Sequence, residues 1–216
     1  MTHMTTERRR AREREERRDS ILHAARQVFL EKGIHRATVD DVAQQAEVSK
    51  GTVYLYFETK ESLLAALLLE DLEKLVAQLE AAFAPGQPLS AEDRVRRLAQ
   101  AYLSFFQATP HSFRLIMAFD RGHFQESVSP DLYQRILTTS LRGLAWVVQA
   151  IRQGMDEGVF APGDARQAAG VAWAALNGVL VLLSHPLRRE MLAADLESLY
   201  AAALDLVLKG LRPRKT

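Results

Sequence analysis

One short segment of the chain concentrates side chains that can donate hydrogen bonds to an anionic or polar partner. It holds an ammonium group, three hydroxyl groups and a glycine, at Lys50, Gly51, Thr52, Tyr54 and Tyr56. Ammonium and hydroxyl groups donate to phosphate oxygens and to the acceptor edges of bases, and a glycine lets another molecule come close to the backbone. This combination is typical of a surface that contacts nucleic acid.

Reactive combinations of other kinds do not stand out. The sequence has no evident Ser/His/Asp set, paired carboxylates or glycine-rich phosphate loop, and its lack of cysteine excludes a thiolate nucleophile, a disulfide and a Cys-ligated metal. The six histidines include no pair four residues apart, although His111 and His123 flank one short predicted helix and could meet in space. We therefore expect no enzymatic activity, no cofactor and no metal site.

The hydrogen-bonding segment lies on the second of two short helices that apolar spacing predicts. The first, Val39–Ala46, follows Thr38, and Asp41 three positions after that threonine completes a pattern like a capping box. The second, Lys50–Phe57, follows Ser49, a residue type that favours the start of a helix. About three residues join the two helices, which is typical of a helix-turn-helix.

A longer helix, Arg10–Lys32, precedes this pair and is predicted to pack behind it. In a helix-turn-helix the second helix presents one face to the major groove of DNA, which admits one α-helix. Val53 and Phe57, four residues apart, are expected to point back to the core. The polar and aromatic side chains of the segment are then left outside, where they can read DNA.

A gap-free stretch of about fifty residues also carries a family resemblance. Its features are the run Ala-Arg-Gln-Val-Phe-Leu-Glu-Lys-Gly that begins at Ala25, Thr38 before Val42-Ala43, Val48-Ser49, Gly51-Thr52-Val53-Tyr54, Tyr56-Phe57 and Lys60-Glu61-Ser62-Leu63. In these features the stretch resembles the DNA-binding domain of the TetR family of tetracycline-repressor-like regulators. The C-terminal part is similar to that family only in the number and length of its helices.

The resemblance implies roles for individual residues. Lys50 and Gly51 would lie against base edges with Tyr54 beside them, and neighbouring side chains would hold phosphates. The DNA-contact residues expected are Thr38, Val39, Lys50, Gly51, Thr52, Tyr54, Tyr56 and Lys60. A second interpretation stays open for three of them: Tyr54 as a packing residue, Lys60 as a solvated lysine in the first turn of its helix, and Thr38 as a helix cap alone.

Residues 7–19 are almost wholly charged, with seven arginines and five acids. Arg9 and Glu13, like Arg12 and Glu16, stand four positions apart, a spacing at which opposite charges stabilise a solvated helix. The alternative is an arm whose arginines touch phosphates or the minor groove of DNA. The interleaved acids would oppose that contact, and both interpretations stay open.

Every later segment is predicted to be helical, and no run with the periodicity of a strand occurs. The break Ala84-Pro85-Gly86-Gln87-Pro88 ends a long helix, Lys60–Phe83. Hydrophobic residues make up 48% of the chain and its net charge is +1, as in an ordinary soluble protein. We predict an all-α protein with two domains: an N-terminal three-helix helix-turn-helix DNA-binding domain with a charged extension at 1–60, and a C-terminal helical bundle for ligand binding and dimerisation at 61–216.

The helix predicted at Asp164–Leu183 has a small residue at every fourth position of one side, which lets another helix approach closely. In the TetR family the last two helices usually supply the dimer contact, and we expect a four-helix interface with a second copy. The interface residues expected are Gly170, Ala174, Gly178, Leu196, Leu199 and Leu206. Packing of the small stripe inside one chain is the alternative. A dimer would read a palindrome whose halves lie about 34 Å apart.

The middle helices carry many large apolar side chains, and a cavity among them would suit a small-molecule sensor. The residues expected to line it are Phe106, Met117, Trp146, Trp173 and Asn177. Asn177 stands on an apolar helix and needs a polar partner, which could equally be a backbone carbonyl or its symmetry mate. We expect an apolar or amphipathic effector, acyl or aromatic in class, that shifts the helix Lys60–Phe83 and releases a repressor from operator DNA.

Alternatives to this function stay open. The protein could activate rather than repress transcription, or it could be an architectural DNA binder without a ligand, which the apolar C-terminal half disfavours. The most apolar stretch, Ala168–Leu183, is shorter than the about 20 residues of a membrane span and contains Asn177. We therefore predict a buried helix there and no membrane partner, and the polar N-terminus without a signal-peptide pattern predicts a cytoplasmic location.

Overall fold

The structure is a computed structural model that describes residues 6–121 and 127–213, with side chains for residues 7–116 and 127–213. Within these ranges the fold is all-α, which confirms the predicted class, with ten helices and no strand. The helices are α1 (Thr6–Lys32), α2 (Val39–Gln45), α3 (Lys50–Tyr56), α4 (Lys60–Phe83), α5 (Ala91–Ala108), α6 (Pro110–Arg121), α7 (Pro130–Asp156), α8 (Ala165–Leu183), α9 (Pro186–Leu192) and α10 (Leu196–Leu211).

The predicted helix bounds agree with the observed ones to within a few residues, with two differences. Helix α1 begins at Thr6, ahead of the predicted Arg10, so the charged segment is part of one continuous helix. Helix α9 is absent from the prediction because Pro186 was interpreted only as a break, although a proline fits the first turn of a helix. Ala193, at φ 46°, ends α9 in the left-handed conformation.

The chain divides into two compact units. One comprises Met1–Leu72 and Thr109–Thr138, and the other comprises Glu73–Ala108 and Thr139–Thr216. Helices α4 and α7 each contribute residues to both units. The predicted domain boundary at residue 60 stays a prediction.

The first unit contains a core shared by α1 to α4. Its buried members are Ile21, Leu22, Ala24, Ala25, Val28, Phe29, Ala37, Val42, Ala43, Val53, Phe57, Leu63, Leu64, Ala66, Leu67 and Leu115. Helices α2 and α3 have seven residues each. Helices of that length are marginal in isolation, so packing on this core holds them in place.

A polar cluster links α1 to α4 and α6 within the same unit. Arg26 donates to Asp71 at 3.1 Å and to Glu70 at 3.0 Å, and one of its terminal nitrogens lies 3.1 Å from Nε2 of His111. The Ser112 hydroxyl donates to the same Asp71 carboxylate at 2.6 Å. The Asp71 side chain is 4% exposed, so these donors replace the water it loses on folding. The cluster fixes α1 against the first half of α4.

In the second unit α8 packs against α10, and α10 also contacts α5. The buried Tyr200 of α10 donates its hydroxyl to the carbonyl of Ala99 in α5 at 2.9 Å, and burial raises the pKa of this phenol. Gly154 of α7 is required by packing, because a Cβ there would lie 2.2 Å from the ring of Phe160.

Helix α8 differs from the buried helix that the sequence predicts. Among the described helices it is the one long and apolar enough to span a membrane, yet only 33% of its most apolar window is buried within the chain. One side packs inward through residues such as Leu176 and Leu180. The other side is exposed, with Val171 at 61% and Trp173 at 53%. A single chain therefore leaves half of an apolar helix uncovered.

Candidate functional site

The first turn of α2 is closed by a complete capping box. The Thr38 hydroxyl accepts from the backbone N–H of Asp41 at 3.2 Å, and the Asp41 carboxylate accepts from the backbone N–H of Thr38 at 2.9 Å. Lys32 donates to the same carboxylate at 2.6 Å. The Lys32 and Thr38 hydrogen bonds lower the pKa of Asp41 from 3.8 to about 2. The predicted cap at Thr38 is confirmed, and its side chain remains exposed.

A tight turn joins α2 to α3. Glu47 lies in the left-handed region at φ 53°, and the N–H of Val48 donates to the carbonyl of Ala43 at 3.0 Å. Ser49 then caps α3, because its hydroxyl accepts from the N–H of Thr52 at 3.0 Å. The Thr52 hydroxyl lies 2.8 Å from the same oxygen. The turn and cap fix the direction in which α3 leaves the core.

The two sides of α3 differ as predicted. Val53 is fully buried and Phe57, the residue that ends the helix, is 4% exposed. Lys50, Gly51 and Tyr54 are exposed, with Tyr54 at 42%. The interpretation of Tyr54 as a core residue is thereby disfavoured. The exposed side of α3 therefore offers a partner an ammonium group, an aromatic ring and backbone that no side chain covers.

Leu55 is a member of this surface that the sequence interpretation missed. It is 76% exposed, more than any other large apolar side chain described in the chain. At about 100° per residue it stands next to Gly51 on the helix and away from Val53. We expected only short, polar or aromatic residues on this face, so Leu55 was not predicted there. Apolar contact with a thymine methyl is nevertheless a recognised mode of base reading.

Gly51 is not required by the fold. Among the described atoms outside the backbone of α3, a Cβ at this position would meet only the Ser49 hydroxyl oxygen, at 3.7 Å, which is an ordinary contact. Glycine within a helix costs about 1 kcal/mol relative to alanine. Its presence on the exposed side of α3 therefore favours a partner that comes close to the backbone.

The exposed ammonium of Lys50 is paired with a carboxylate of the neighbouring helix. It donates to Asp40 of α2 at 2.8 Å, and both side chains are at least half exposed. The hydrogen bond to Asp40 raises the pKa of Lys50. The lysine is charged at neutral pH and held at the edge of α3.

The remaining predicted DNA contacts border this surface. Val39 and Tyr56 are partly buried against the core of the first unit, so less of each is available to a partner than of Tyr54. Lys60 is partly buried and its ammonium lies 3.5 Å from the carbonyl of His35. The predicted DNA contacts thus come from the start of α2, from α3 and from the first turn of α4.

The residues predicted to line an effector pocket do not form one group. Phe106 is buried and its ring contacts Tyr102 edge-on at 4.8 Å, whereas the ring of Trp146 lies 4.9 Å from that of Phe83. The side chain of Met117 lies outside the described residues. Of the predicted set, only Trp173 and Asn177 face one cavity.

Tyr102 connects that cavity to the core. Its hydroxyl donates to Oδ1 of Asn177 at 3.3 Å and accepts from Nε1 of Trp173 at 3.2 Å. The polar partner that the sequence requires for Asn177 is therefore a tyrosine side chain. The cavity is a groove of about 390 Å³ on the exposed side of α8, lined by Trp173, Ala174, Asn177, Gly178, Val181, Leu182 and Arg188.

The predicted dimer residues lie on or beside this exposed side. A Cβ at Gly170 or Gly178 would meet no described atom outside its own stretch of helix within 4 Å, so these two glycines do not pack against another described part of the chain. Leu206 of α10 is 69% exposed, while Leu196 and Leu199 are partly buried. The alternative of intrachain packing for the stripe is wrong. The predicted ligand residues Trp173 and Asn177 share the groove with the predicted dimer residues Ala174 and Gly178.

Within the residues that the structure describes, no three His, Asp or Glu side chains cluster as metal ligands. His111 belongs to the polar cluster around Asp71. His123, its suggested neighbour, lies outside the described residues.

Two family models match the sequence. The model of bacterial regulatory proteins of the tetR family covers residues 21–67, and the model of the tetracyclin repressor-like C-terminal domain covers residues 95–207. The first match contains α2 and α3 with all their exposed residues. The second extends over more than half of the chain and includes α8 and most of α10.

Individual relatives agree with these matches. The chain is 33% identical over 107 residues to the HTH-type transcriptional activator FasR of Mycolicibacterium smegmatis, covering 50% of this chain and 48% of FasR. It is 24% identical to the HTH-type transcriptional regulator UidR of Escherichia coli K12, covering 90% and 92%. The structure of the fatty acid degradation regulator FadR of Bacillus halodurans is similar with a TM-score of 0.67 and 25% identity, covering 91% and 97%.

Proposed function

We propose that this chain, which belongs to the tetR family of bacterial regulatory proteins and is a DNA-binding transcriptional regulator, represses transcription as a homodimer on a palindromic operator. The exposed side of α3 carries the proposal. Lys50, Gly51 and Tyr54 are exposed there, while Val53 and Phe57 anchor the helix in the core. Lys50 reads base edges, and Thr38, Thr52, Tyr56 and Lys60 hold phosphates around it.

Dimerisation is supported by the uncovered side of α8. Monomeric proteins rarely expose large continuous apolar patches, and this helix presents Val171, Trp173 and Leu182 together with two glycines that no other described part of the chain approaches. A second copy of α8 and α10 covers this side in our proposal. The dimer then places two copies of α3 on two half-sites. Two copies are needed because one such helix alone buries too little DNA surface for specific affinity.

The effector is proposed to be an amphipathic molecule with an acyl chain. The aromatic groups around Tyr102 supply apolar contacts, and Asn177 supplies a polar one. The similarity to the fatty acid degradation regulator of Bacillus halodurans adds support for this class. Members of the family are regulators rather than enzymes, so the effector is bound and not converted. The cytoplasm, where operator DNA and acyl metabolites meet, is the proposed location.

Selection of bound duplexes from a random pool tests the DNA-binding part of the proposal. The expected product is a palindrome with half-sites about 10 base pairs apart, centre to centre. Recovery of non-palindromic sequences alone would contradict a dimeric reader. Acyl-coenzyme A thioesters of increasing chain length are then titrated into the complex, and release of DNA together with a raised melting temperature is expected. A chain that no thioester stabilises or releases contradicts the effector class.

Activation is the second candidate, and the similarity to FasR favours it. The two functions differ in what RNA polymerase does when the protein occupies its operator. Transcription in vitro from a promoter that carries the selected palindrome separates them. A transcript that decreases with added protein supports repression, and one that increases supports activation.

A further inference from the structure

The N-terminal half of α1 separates its charges onto two faces. We call residues 7–18 of this helix the arm; all of its described side chains are exposed apart from the partly buried Arg18. At about 100° per residue, four arginines fall within an arc of roughly 100°. They are Arg10, Arg14, Arg17 and Arg18, and we call them the arginine face.

The acids of the arm stand largely on the other side. Glu13 is paired with Arg9 at 3.5 Å, and Glu16 is paired with Arg12 at 2.7 Å. Glu7, in the first turn, is the one acid in line with the arginine face. Apart from Glu7, the acids are interleaved with the arginines in sequence but lie outside the arc of the arginine face, which weakens the objection that they would repel phosphate.

The arginine face begins beside α3, the helix proposed to read DNA bases. The guanidinium carbon of Arg14 lies 6.0 Å from the centroid of the Tyr56 ring, and that of Arg18 lies 5.4 Å from the Phe57 ring. Both rings stand at the end of α3. The face continues along the helix for about 12 Å from Arg18 to Arg10, at 1.5 Å per residue.

The arginine face has few opposite charges beside it. Arg10, Arg14 and Arg17 form no ion pair with any side chain that the structure describes, and Arg18 lies 3.8 Å from Asp19. Holding several exposed like charges on one face opposes folding by mutual repulsion. A multivalent anion beside α3 would offset that cost.

We propose that the arginine face is a second DNA-binding surface, which holds the phosphate backbone beside the segment that α3 reads. The inference rests on the proposed function of α3. Guanidinium groups match phosphate oxygens with two parallel hydrogen bonds and stay charged at every physiological pH. The contact is to the backbone and independent of sequence, so it raises affinity for operator and random duplexes alike.

The test compares two triple variants of the full chain with equal loss of charge. Arg10→Gln/Arg14→Gln/Arg17→Gln removes three members of the arginine face, and Arg8→Gln/Arg9→Gln/Arg12→Gln removes three arginines from the rest of the arm. Glutamine forms helices nearly as well as arginine, so the arm stays helical, as circular dichroism will show. Affinity for the operator and for a random duplex is measured from 50 to 200 mM salt.

The slope of log affinity against log salt should become shallower by about 5 in the first variant, since each phosphate contact contributes about 0.9 and the proposed dimer loses three contacts per subunit. It should change by less than about 1 in the second. Equal slopes and affinities in the two variants would overturn the inference while leaving the wild type a DNA binder. A wild type that binds no duplex refutes the proposed function itself. If the first variant lost affinity for the operator but not for the random duplex, the inference would also be overturned, because such a loss indicates base reading.

Discussion

Lys50 and Asp40 form an ion pair of 2.8 Å that joins the first turn of α3 to the first turn of α2. The pair lies on the surface proposed to read DNA, and its hydrogen bond raises the pKa of the lysine. A lysine that contacts a guanine must exchange the carboxylate for base acceptors. In our proposal Asp40 neutralises Lys50 until DNA is present, and it disfavours DNA that offers no such acceptors.

Substitutions of Lys50 and of Asp40 should change the affinity for DNA in opposite directions. Lys50→Met should lower operator affinity by about tenfold to hundredfold, because a base contact is lost. Asp40→Asn should raise affinity for operator and random duplex by about two- to fivefold, since a negative charge leaves the interface. Fluorescence anisotropy with both duplexes measures these effects. Lys209→Met in α10 is the control for loss of one charge, and an equal effect of this control would contradict a specific contact.

Gly51→Ala should separate stability from binding. The added methyl meets only the Ser49 oxygen at 3.7 Å, so the free energy of unfolding should increase by up to about 1 kcal/mol through helix propensity. Operator affinity should fall, because the methyl stands where DNA approaches the backbone. Urea unfolding and anisotropy on the same sample give the two values. Unchanged affinity would show that no partner approaches α3 at this position.

The capping box of α2 predicts a loss of stability in acid. The pKa of Asp41 is lowered to about 2 from an unfolded value near 3.8. The carboxylate therefore stabilises the fold fully above pH 4, and this contribution disappears as the pH falls from about 4 to 2. Asp41→Asn should flatten the fall of the unfolding free energy over that interval. Wild type and variant with the same pH dependence would contradict the role of this carboxylate.

Most of the first unit could be predicted from the sequence because its signals are local. Thr38, Ser49 and Gly33 mark helix ends by their own hydrogen bonds and backbone angles, and these depend on near neighbours. Spacing of Val53 and Phe57 fixed which side of α3 is buried. The position of Leu55 follows from the same spacing, and it was missed because an apolar residue was not expected outside.

The second unit was less predictable because its contacts join distant parts of the chain. Trp173 and Asn177 meet Tyr102 across about seventy residues, a pairing that no local pattern encodes. The sequence could say that Asn177 needs a polar partner but not which one. The charge separation of the arm could be predicted in part. Helical spacing places the arginines on one face, but only the contacts with the rings at the end of α3 show where that face lies.

Gly178→Leu should produce a folded monomer. Within the part of the chain that the structure describes, no atom outside this stretch of helix lies within 4 Å of a Cβ at this position, so a leucine fits the single chain but not a closely packed partner helix. Sedimentation should show half the wild-type mass, and operator affinity should fall because two linked half-site contacts become one. The emission of Trp173, which is 53% exposed in the single chain, should shift to longer wavelength, with Trp146→Phe as the background that isolates it.

Ala77→Leu, on the exposed side of α4, adds a leucine to a different surface and should remain dimeric. A Gly178→Leu protein that sediments as a dimer would place the subunit contact elsewhere and leave the uncovered side of α8 to another occupant.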